Sequence, residues 1–383
     1  MKVKASVVLG VKEPWRTEEI DVGEPTATEV RVKVAYAGLC QSDEHLRLGD
    51  FSMPPEILKM LTPNGSMFPA IGGHEGSGVV EAVGSDVRGF APGDAVAVSF
   101  IPSCGKCYYC TSGRSFICDL NATVVAGPQI SDGTYRHHLG DEPLNRMCQL
   151  GTFAERIVVS ENSLVKIDTG ANLRAAALIS CGVSTGFGAA VDRAKVRPGE
   201  CVIVVGCGGV GSGAIQGARI AGAETIIAVD LIPSKVERAK LIGATHGAAS
   251  TVEATFLAAE LTRGRLADVV ILTPTTLTGD LVGPAVEAVG KDGRIVTVSI
   301  SPYDQTEVTL PLGLFTMYNK TLMGTVFGSA NPRNQIPRLL ELYRLGHLKI
   351  DEMITKEYTL DEVQQGYDDV ESGKNVRGVV RFD

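Results

Sequence analysis

The sequence predicts an α/β protein in which a β-rich domain precedes a doubly wound parallel sheet. Three observations predict it. Short alternating stretches such as EVRVKVAYAGLC (29–40) crowd the first half of the chain, as half-buried strands do. From residue 201 onward, short apolar runs alternate with helix-like segments, the pattern of strands buried on both faces. A glycine-rich hexapeptide, GCGGVG (206–211), follows the first of those runs and opens a helix.

Taken in order, SGVVEAVGSDV (77–87) reads as strand, turn, strand, and APGDAVAVSF (91–100) as a further strand behind a Pro-Gly turn. The β-rich domain is expected over residues 1–180 and the parallel-sheet domain over 181–325. In the second domain CVIVV (201–205), TIIAVD (225–230), ADVVILT (267–273) and GRIVTVSI (293–300) read as strands. SGAIQGARIAGA (212–223) and PSKVERAKLIGA (233–244) read as the helices between them. The last segment, 326–383, is mixed, with helices at QIPRLLELYRLG and LDEVQQGYDDVESG and a closing strand at VRGVVRF.

Composition bounds the function. A chain of 383 residues, 44% hydrophobic and 21% charged, suffices for two domains with large cores. A net charge of −8 without basic blocks argues against nucleic acid and anionic membranes as partners. MKVKASVVLG is too short in its apolar part for a signal peptide, and AAALISCGVSTGFGAAV is too broken for a membrane span and reads as buried. A cytoplasmic protein is the expectation, and in a reducing compartment clustered cysteines are metal ligands rather than disulfides.

In GCGGVG, Gly206 allows the tight turn, Gly208 and Gly209 let backbone approach a pyrophosphate at the helix N-terminus, and Gly211 lets helix and strand pack closely. Asp230 ends the next strand, where an acid holds the ribose hydroxyls. A 2′-phosphate about 4 Å from that carboxylate would cost around 4 kcal/mol at an effective dielectric near 20, so NAD is favoured over NADP. Lys235 is placed to reach the ribose.

Four of the nine cysteines, Cys104, Cys107, Cys110 and Cys118, are spaced C-x2-C-x2-C-x7-C. Zinc takes four thiolates tetrahedrally. The rival is an iron–sulfur cluster, whose familiar run has x3 before the last cysteine and proline after it; here Asp119 follows. YYCTSGRSF offers little core of its own. Structural zinc, worth roughly 10–16 kcal/mol in small peptides, can order such a lobe, and four thiolates leave no position open for chemistry. The other cysteines and histidines are scattered. Three contexts stand out, GLCQSDEH (38–45), GGHEG (72–76) and SCGVSTG (180–186), though a lone cysteine is more often a small core hydrophobe.

Those three contexts, the four-cysteine lobe, and GCGGVG followed by Asp230 occur in the order of a known family. Over nearly its whole length the chain resembles the zinc-dependent medium-chain alcohol dehydrogenases. SFIPSCGKC, MCQLGTFAERIVV, GTVFGSANP and GKNVRGVV are most similar to the nicotinoprotein branch assayed with nitrosodimethylaniline. The resemblance implies a GroES-like catalytic domain, a Rossmann domain and a C-terminal return to the catalytic domain. It implies NAD and two zinc ions per chain, with Cys40, His74 and Cys181 on the catalytic one, a ligand set known for this family. Glu75 would approach that metal, Asp43 would orient His74, Ser42 would accept the alcohol proton and His45 would pass it on. Thr185 and Val210 would flank the nicotinamide. Backbone near Val298, Thr325 and Phe327 would bind its carboxamide, and Arg377 would bind the pyrophosphate. Phe100, Leu150, Ile300 and Val326 would shape the substrate pocket, with Ile300 also near the cofactor. In that branch NAD stays bound and is recycled in place, with mycofactocin as the proposed acceptor.

The resemblance further implies a small-molecule alcohol substrate and a homodimer or tetramer, pairing through TEVTLPLGLFTM (306–317). Three departures stand out. Gln41 replaces a usual basic residue. Residues 51–68 form an insertion, read as a lid or pocket wall. Ala122 stands where glutathione-dependent formaldehyde dehydrogenases carry arginine, which weighs against a thiol-adduct substrate. A non-catalytic NAD-binding protein is the remaining alternative, disfavoured because Cys40, Ser42, His45, His74 and Cys181 are all present.

Overall fold

A computed structural model describes every residue except Ser52, Pro63, Asn64, 122–124, Tyr303 and Asp304, and the side chains of Leu61 and Asn121. Ala122 thus lies outside the described residues, as do parts of the 51–68 insertion. The chain divides into two compact units. One comprises Met1–Cys181, Asn331–Glu341 and Ile354–Asp383; the other comprises Gly182–Ala330 and Leu342–Met353. The C-terminal segment is therefore shared, with residues 342–353 going to the second unit.

The first unit is built on two sheets. In one, Lys2–Val8 pairs antiparallel with Arg16–Val22 and with the short strand Ala70–Ile71. In the other, Glu29–Gly38 is the hub. It pairs antiparallel with Gly76–Val83, with Arg156–Ser160 and with the C-terminal strand Gly378–Arg381. Alternation explains the hub: Val30, Val32 and Val34 are buried and pack with Val80, Val96, Ile157 and Val159 in one apolar core. SGVVEAVGSDV yields one strand rather than two. After Val83 the chain turns away, because the amides of Gly84 and Asp86 bond to the carbonyls of Glu29 and Ala27 instead of to a ladder.

The second unit holds a parallel sheet. Its strands are β1 (Cys201–Val205), β2 (Thr225–Val229), β3 (His246–Ala248), β4 (Ala267–Leu272), β5 (Val289–Thr297) and β6 (Thr321–Gly324). Their order is β3-β2-β1-β4-β5-β6, all parallel among the described residues. That is the doubly wound dinucleotide-binding topology, with its reversal of direction beside β1. Each residue of β1 is buried, as its unbroken apolar run requires. Helix α1 (Gly209–Ile220) follows β1, and α2 (Pro233–Ile242), with proline in its first turn, follows β2.

The run 173–193 is helical throughout, with π-helical turns at Ile179–Val183 and Ala189–Arg193. By length and composition it could cross a membrane, but 89% of its apolar window is buried in the protein, as in a core helix. Within the single chain, residues 306–311 of TEVTLPLGLFTM pair with no described strand, and its remainder is helical. Pro311 has no N–H for a ladder, and the helix Leu312–Met317 begins directly after it.

A Cβ on Gly211 would lie 1.8 Å from the carbonyl oxygen of Gly206 and 2.9 Å from Oγ1 of Thr273. Gly211→Ala should therefore destabilise the protein by ~1–3 kcal/mol or more, the usual cost of overpacking, seen as a lowered denaturant midpoint. Gly89→Ala, which meets nothing within 4 Å, should leave the midpoint within about 0.5 kcal/mol of wild type.

Candidate active site

Three segments of the first unit converge on one buried cluster. The strand Glu29–Gly38 delivers Cys40, whose extended backbone starts the helix Gln41–Leu48. Asp43 and Glu44 lie in the first turn of that helix and Arg47 in the last, each suited to the local end of the helix dipole. His74 and Glu75 precede the strand Gly76–Val83, behind a tight turn. Gly73 there has φ +88, and a Cβ would strike Oγ1 of Thr152 at 2.4 Å and the amide of Phe153 at 2.6 Å, so only glycine fits. Cys181 sits in the π-helical turn Ile179–Val183. Such turns recur at functional sites because the extra residue re-aims a side chain. Ser180 ties this helix to the histidine segment: its hydroxyl accepts from the Gly76 amide at 3.1 Å and donates to the Ala177 carbonyl at 2.6 Å.

The ligand atoms of Cys40, His74, Glu75 and Cys181 all lie within 4.8 Å of one another. All four residues are buried, Glu75 completely. Asp43 stands behind His74, with Oδ2 at 3.0 Å from Nδ1, an ion-pair distance that is off the hydrogen-bond direction; its Oδ1 accepts from the Gly73 amide at 2.6 Å. That leaves Nε2 of His74 as the ligand nitrogen. The ring of Phe100 packs edge-on against His74, centroids 5.8 Å apart.

The electrostatics fit a cation. A hydrogen bond from Cys181, with help from His74 and Arg377, holds the Cys40 thiol well below its ordinary range despite burial. That same bond to Cys40, together with burial, pushes Cys181 well above it. Burial would discharge His74, but Asp43 and Cys40 overcome it and keep the imidazole protonated far above its usual range. Burial raises Glu75 to about 7 even though Arg377 pairs with it. Soft donors confined in so small and dry a space are the chemistry of a zinc site, and a dication would replace the shared proton and the imidazolium proton.

Ser42 and His45 share the helix. Oγ of Ser42 lies 3.8 Å from Sγ of Cys40, and His45 is buried with Nδ1 at 2.6 Å from Oδ2 of Asp50. Arg377 was expected on a pyrophosphate. Its described contacts are with Glu75 and, at 3.0 Å, with the Leu39 carbonyl, while its Nε is buried without a partner. Leu150, expected in the pocket, is fully buried in the first unit's core among valines and isoleucines, so it lines no accessible surface. Sequence reasoning missed Tyr367, whose hydroxyl donates to the Cys40 carbonyl at 3.2 Å, and also the Glu75–Arg377 pair. Their partners lie more than 300 residues away in sequence, beyond any local pattern.

The second cluster is Cys104, Cys107, Cys110 and Cys118, again within 4.8 Å of one another. Sγ of Cys104 is 3.9 Å from that of Cys110, and Cys107 is 3.9 Å from Cys118. A tetrahedron with zinc–sulfur bonds of about 2.3 Å has edges of about 3.8 Å, so the thiols stand where the metal needs them. Amides of Lys106 and Cys107 point at Sγ of Cys104, at 3.5 and 3.3 Å, the pattern that steadies a thiolate. The lobe has no apolar core to speak of, with Tyr108 70% exposed and Arg114 lying over the Tyr108 and Tyr109 rings.

In the second unit the GCGGVG turn joins β1 to α1. Gly206 has φ +92, and Gly208 caps the helix with nothing within 4 Å of a built Cβ, leaving its backbone open to approach. Asp230 follows β2, and its Oδ2 accepts from the Cys207 amide at 2.8 Å and its Oδ1 from Ile232 at 2.9 Å. Lys235 is half-buried one turn into α2. Gly186 rests against the Val210 carbonyl, which sets Thr185 beside the start of α1; the Thr185 hydroxyl is buried without a partner. Val298 and Ile300 follow β5, their backbones bonded to Leu272 and Leu277. After β6, Phe327, Gly328 and Ser329 all have positive φ (50°, 63° and 61°), a left-handed turn braced by a 2.7 Å hydrogen bond between Thr325 and Ser329 hydroxyls. Non-glycine residues in that region carry strain, which persists where surroundings over-determine it. Here Gly328 packs backbone to backbone on Gly188.

A zinc-type ligand cluster in one unit and a dinucleotide-type turn in the other define an oxidoreductase of the zinc-binding dehydrogenase class. Residues 26–169 match the model of the alcohol dehydrogenase GroES-like domain, and residues 209–344 match that of the zinc-binding dehydrogenase domain. The chain is 44% identical over 380 residues to an NDMA-dependent alcohol dehydrogenase of Amycolatopsis methanolica, covering 99% of each. It is 42% identical to alcohol dehydrogenase B of Mycobacterium tuberculosis, over 100% of this chain and 99% of the relative. Among solved structures, benzyl alcohol dehydrogenase from Acinetobacter calcoaceticus superposes over 100% of both chains with TM-score 0.88 and 28% identity. The chain belongs to the zinc-dependent medium-chain alcohol dehydrogenases.

In the four-cysteine lobe, amides of Asp119 and Cys110 lower the Cys107 thiol to about 6, so without metal it is a thiolate at pH 7. Burial raises Cys201 and Cys207 to about 12. Iodoacetamide at pH 7 should therefore label Cys107 after chelation but not before, and should spare Cys201 and Cys207 in both states, as read by peptide mass spectrometry.

Proposed function

We propose that the protein oxidises a small, largely apolar alcohol to its aldehyde or ketone, with NAD as hydride acceptor and one catalytic and one structural zinc per chain. The observation that carries this reading is the convergence of Cys40, His74 and Cys181, with Glu75, within 4.8 Å of one another. Cys40, His74 and Cys181 would hold the catalytic zinc, and Cys104, Cys107, Cys110 and Cys118 the structural one.

The bound zinc supplies Lewis acidity, which lowers the pKa of a coordinated hydroxyl by several units, as it lowers that of water from 15.7 to about 7. Everything else falls to the chain. Asp43, 3.0 Å from Nδ1, would hold the His74 ring in place by charge. Ser42, whose Oγ lies 3.8 Å from Sγ of Cys40, would accept the alcohol proton and hand it on toward His45. Phe100 against His74 keeps that side of the cluster apolar, which disfavours competing water. NAD, when bound, supplies the hydride acceptor. The open backbone at Gly208 would receive its pyrophosphate, with Gly206, Gly209 and Gly211 shaping the turn, and Asp230 would hold the ribose with Lys235 near it. Asp230 keeps its carboxylate at the end of β2 through two backbone amides, a fixed negative charge that favours NAD over NADP. Thr185 and Val210 would flank the nicotinamide, and backbone at Val298, Ile300, Thr325 and Phe327 would meet its carboxamide.

We also infer that the NAD is retained between turnovers and reoxidised in place by an external acceptor such as mycofactocin. The resemblance to an NDMA-dependent relative supports this. So does the braced left-handed turn 327–329, a binding surface shaped before the cofactor arrives.

Elemental analysis should find two zinc ions per chain, and one or none would defeat the two-site assignment. Heat denaturation of freshly purified protein should release about one NAD per chain to the supernatant; an empty supernatant would return the protein to dehydrogenases with exchangeable cofactor. Ser42→Ala should lower turnover by ~10²–10⁴-fold, the usual weight of a positioned proton-transfer group, while keeping both metals. Near-normal turnover would mean that the proton leaves by another route.

A further inference from the structure

His45 sits in the last turn of the helix Gln41–Leu48, with its side chain only 5% exposed. The helix ends at Gly49, whose φ of 84° reverses the chain. That reversal brings the Asp50 amide to the His45 carbonyl at 3.0 Å and folds the Asp50 side chain back over the ring five residues earlier. Oδ2 of Asp50 reaches Nδ1 of His45 at 2.6 Å. Phe51 follows and packs its ring against the imidazole at 74°, centroids 6.3 Å apart. One side chain therefore fixes the ring by a hydrogen bond and the next by an edge-on ring contact.

An ionised carboxylate can only accept, so the bond to Asp50 requires the proton of a neutral His45 to sit on Nδ1. The lone pair is then on Nε2, the nitrogen turned away from Asp50. We propose that Asp50 is a positioning residue for the proton path: it locks His45 in the Nδ1–H tautomer, so that Nε2 is the atom that takes up the proton released by the alcohol. This rests on the reading that His45 carries that proton. It also gives the start of the 51–68 insertion a role, since Asp50 and Phe51 lead into it and together clamp the ring. Asp50 is one-third exposed, so once His45 is protonated the pair has access to water, which can drain the charge.

The test uses the full-length enzyme with its cofactor and metals. Long-range proton–nitrogen spectra of protein labelled with 15N-histidine resolve the tautomers of the chain's six histidines. His45, assigned by its loss in His45→Gln, should show the Nδ1–H form in wild type and shift toward Nε2–H in Asp50→Ala. In steady state, Asp50→Ala should lower kcat for alcohol oxidation by ~10-fold, a fraction of the ~10²–10⁴-fold that a general acid–base group contributes, with KM changed less than about two-fold. Asp50→Asn, whose amide oxygen can still accept from Nδ1–H, should retain more of both signals. In a His45→Gln background, Asp50→Ala should cost nothing further.

An unchanged His45 tautomer in Asp50→Ala would overturn the inference, as would a loss of kcat that simply multiplies that of His45→Gln. Should Asp50→Ala fail to fold, the same two criteria apply to Asp50→Ser, whose shorter side chain cannot reach Nδ1 as the carboxylate does. Wild-type kcat in His45→Gln would instead sink the proton-carrier reading, and with it the catalytic half of this inference, even if the tautomer responds to Asp50.

Discussion

The structure of the first unit depends on confining two thiols, an imidazole and a carboxylate in one dry space. Burying ionisable groups without a partner is expensive, and such groups ordinarily shift their protons until charge disappears. Here the surroundings work against that escape. Arg377 and the Cys181 hydrogen bond favour a Cys40 thiolate, while Asp43 and Cys40 favour a charged His74. The arrangement suits a metal, whose binding would displace the protons that the thiol and imidazole otherwise hold.

Much of the neighbouring sequence serves that confinement. Gly72 leaves room for Trp15 and Phe153, Gly73 makes the turn that presents His74, and Gly38 leaves room for Glu75, whose Oε2 would lie 2.0 Å from an added Cβ. The π-helical turn at Cys181 and the Ser180 bridge bring in the third ligand from a helix 100 residues further along. The short helix from Gln41 to Leu48 is anchored on its outer side. Arg47 makes a two-pronged contact with Glu44, which also accepts from the Trp15 indole at 3.3 Å, and Tyr367 holds the Cys40 carbonyl. Both partners of the Arg47–Glu44 pair are largely shielded, so this contact restrains the helix more firmly than an exposed ion pair would.

In the second unit the same economy of volume appears in backbone. Gly186, Gly188, Gly213 and Gly217 allow the helical run before β1 to lie almost on top of α1 and the 327–329 turn, at distances no side chain would permit. The left-handed residues Phe327 and Ser329 are tolerated because Gly328 is locked against Gly188 and the Thr325 hydroxyl braces Ser329. The elements that a dinucleotide would meet are therefore supported by packing that does not depend on the cofactor.

Wherever chemistry depends on neighbours in the chain, the sequence by itself determined it. The four-cysteine spacing gave the lobe, because two gaps of two residues and one of seven bring thiols together within one loop. CVIVV with GCGGVG gave β1, its turn and α1, because unbroken apolar runs and glycines at fixed offsets have few other uses. Local signals failed where long-range partners decided the outcome. The second strand expected within SGVVEAVGSDV was lost because the amides of Gly84 and Asp86 found the carbonyls of Glu29 and Ala27. Cys40, His74 and Cys181 could be grouped beforehand only by likeness to a family, since nothing in their spacing requires them to meet. The tertiary structure alone brought them together, placed Arg377 against Glu75, and sealed Leu150 in the core. The physical reason is the same in each case: a contact between residues 30 to 300 positions apart is set by sheet pairing and packing, which no window of sequence contains.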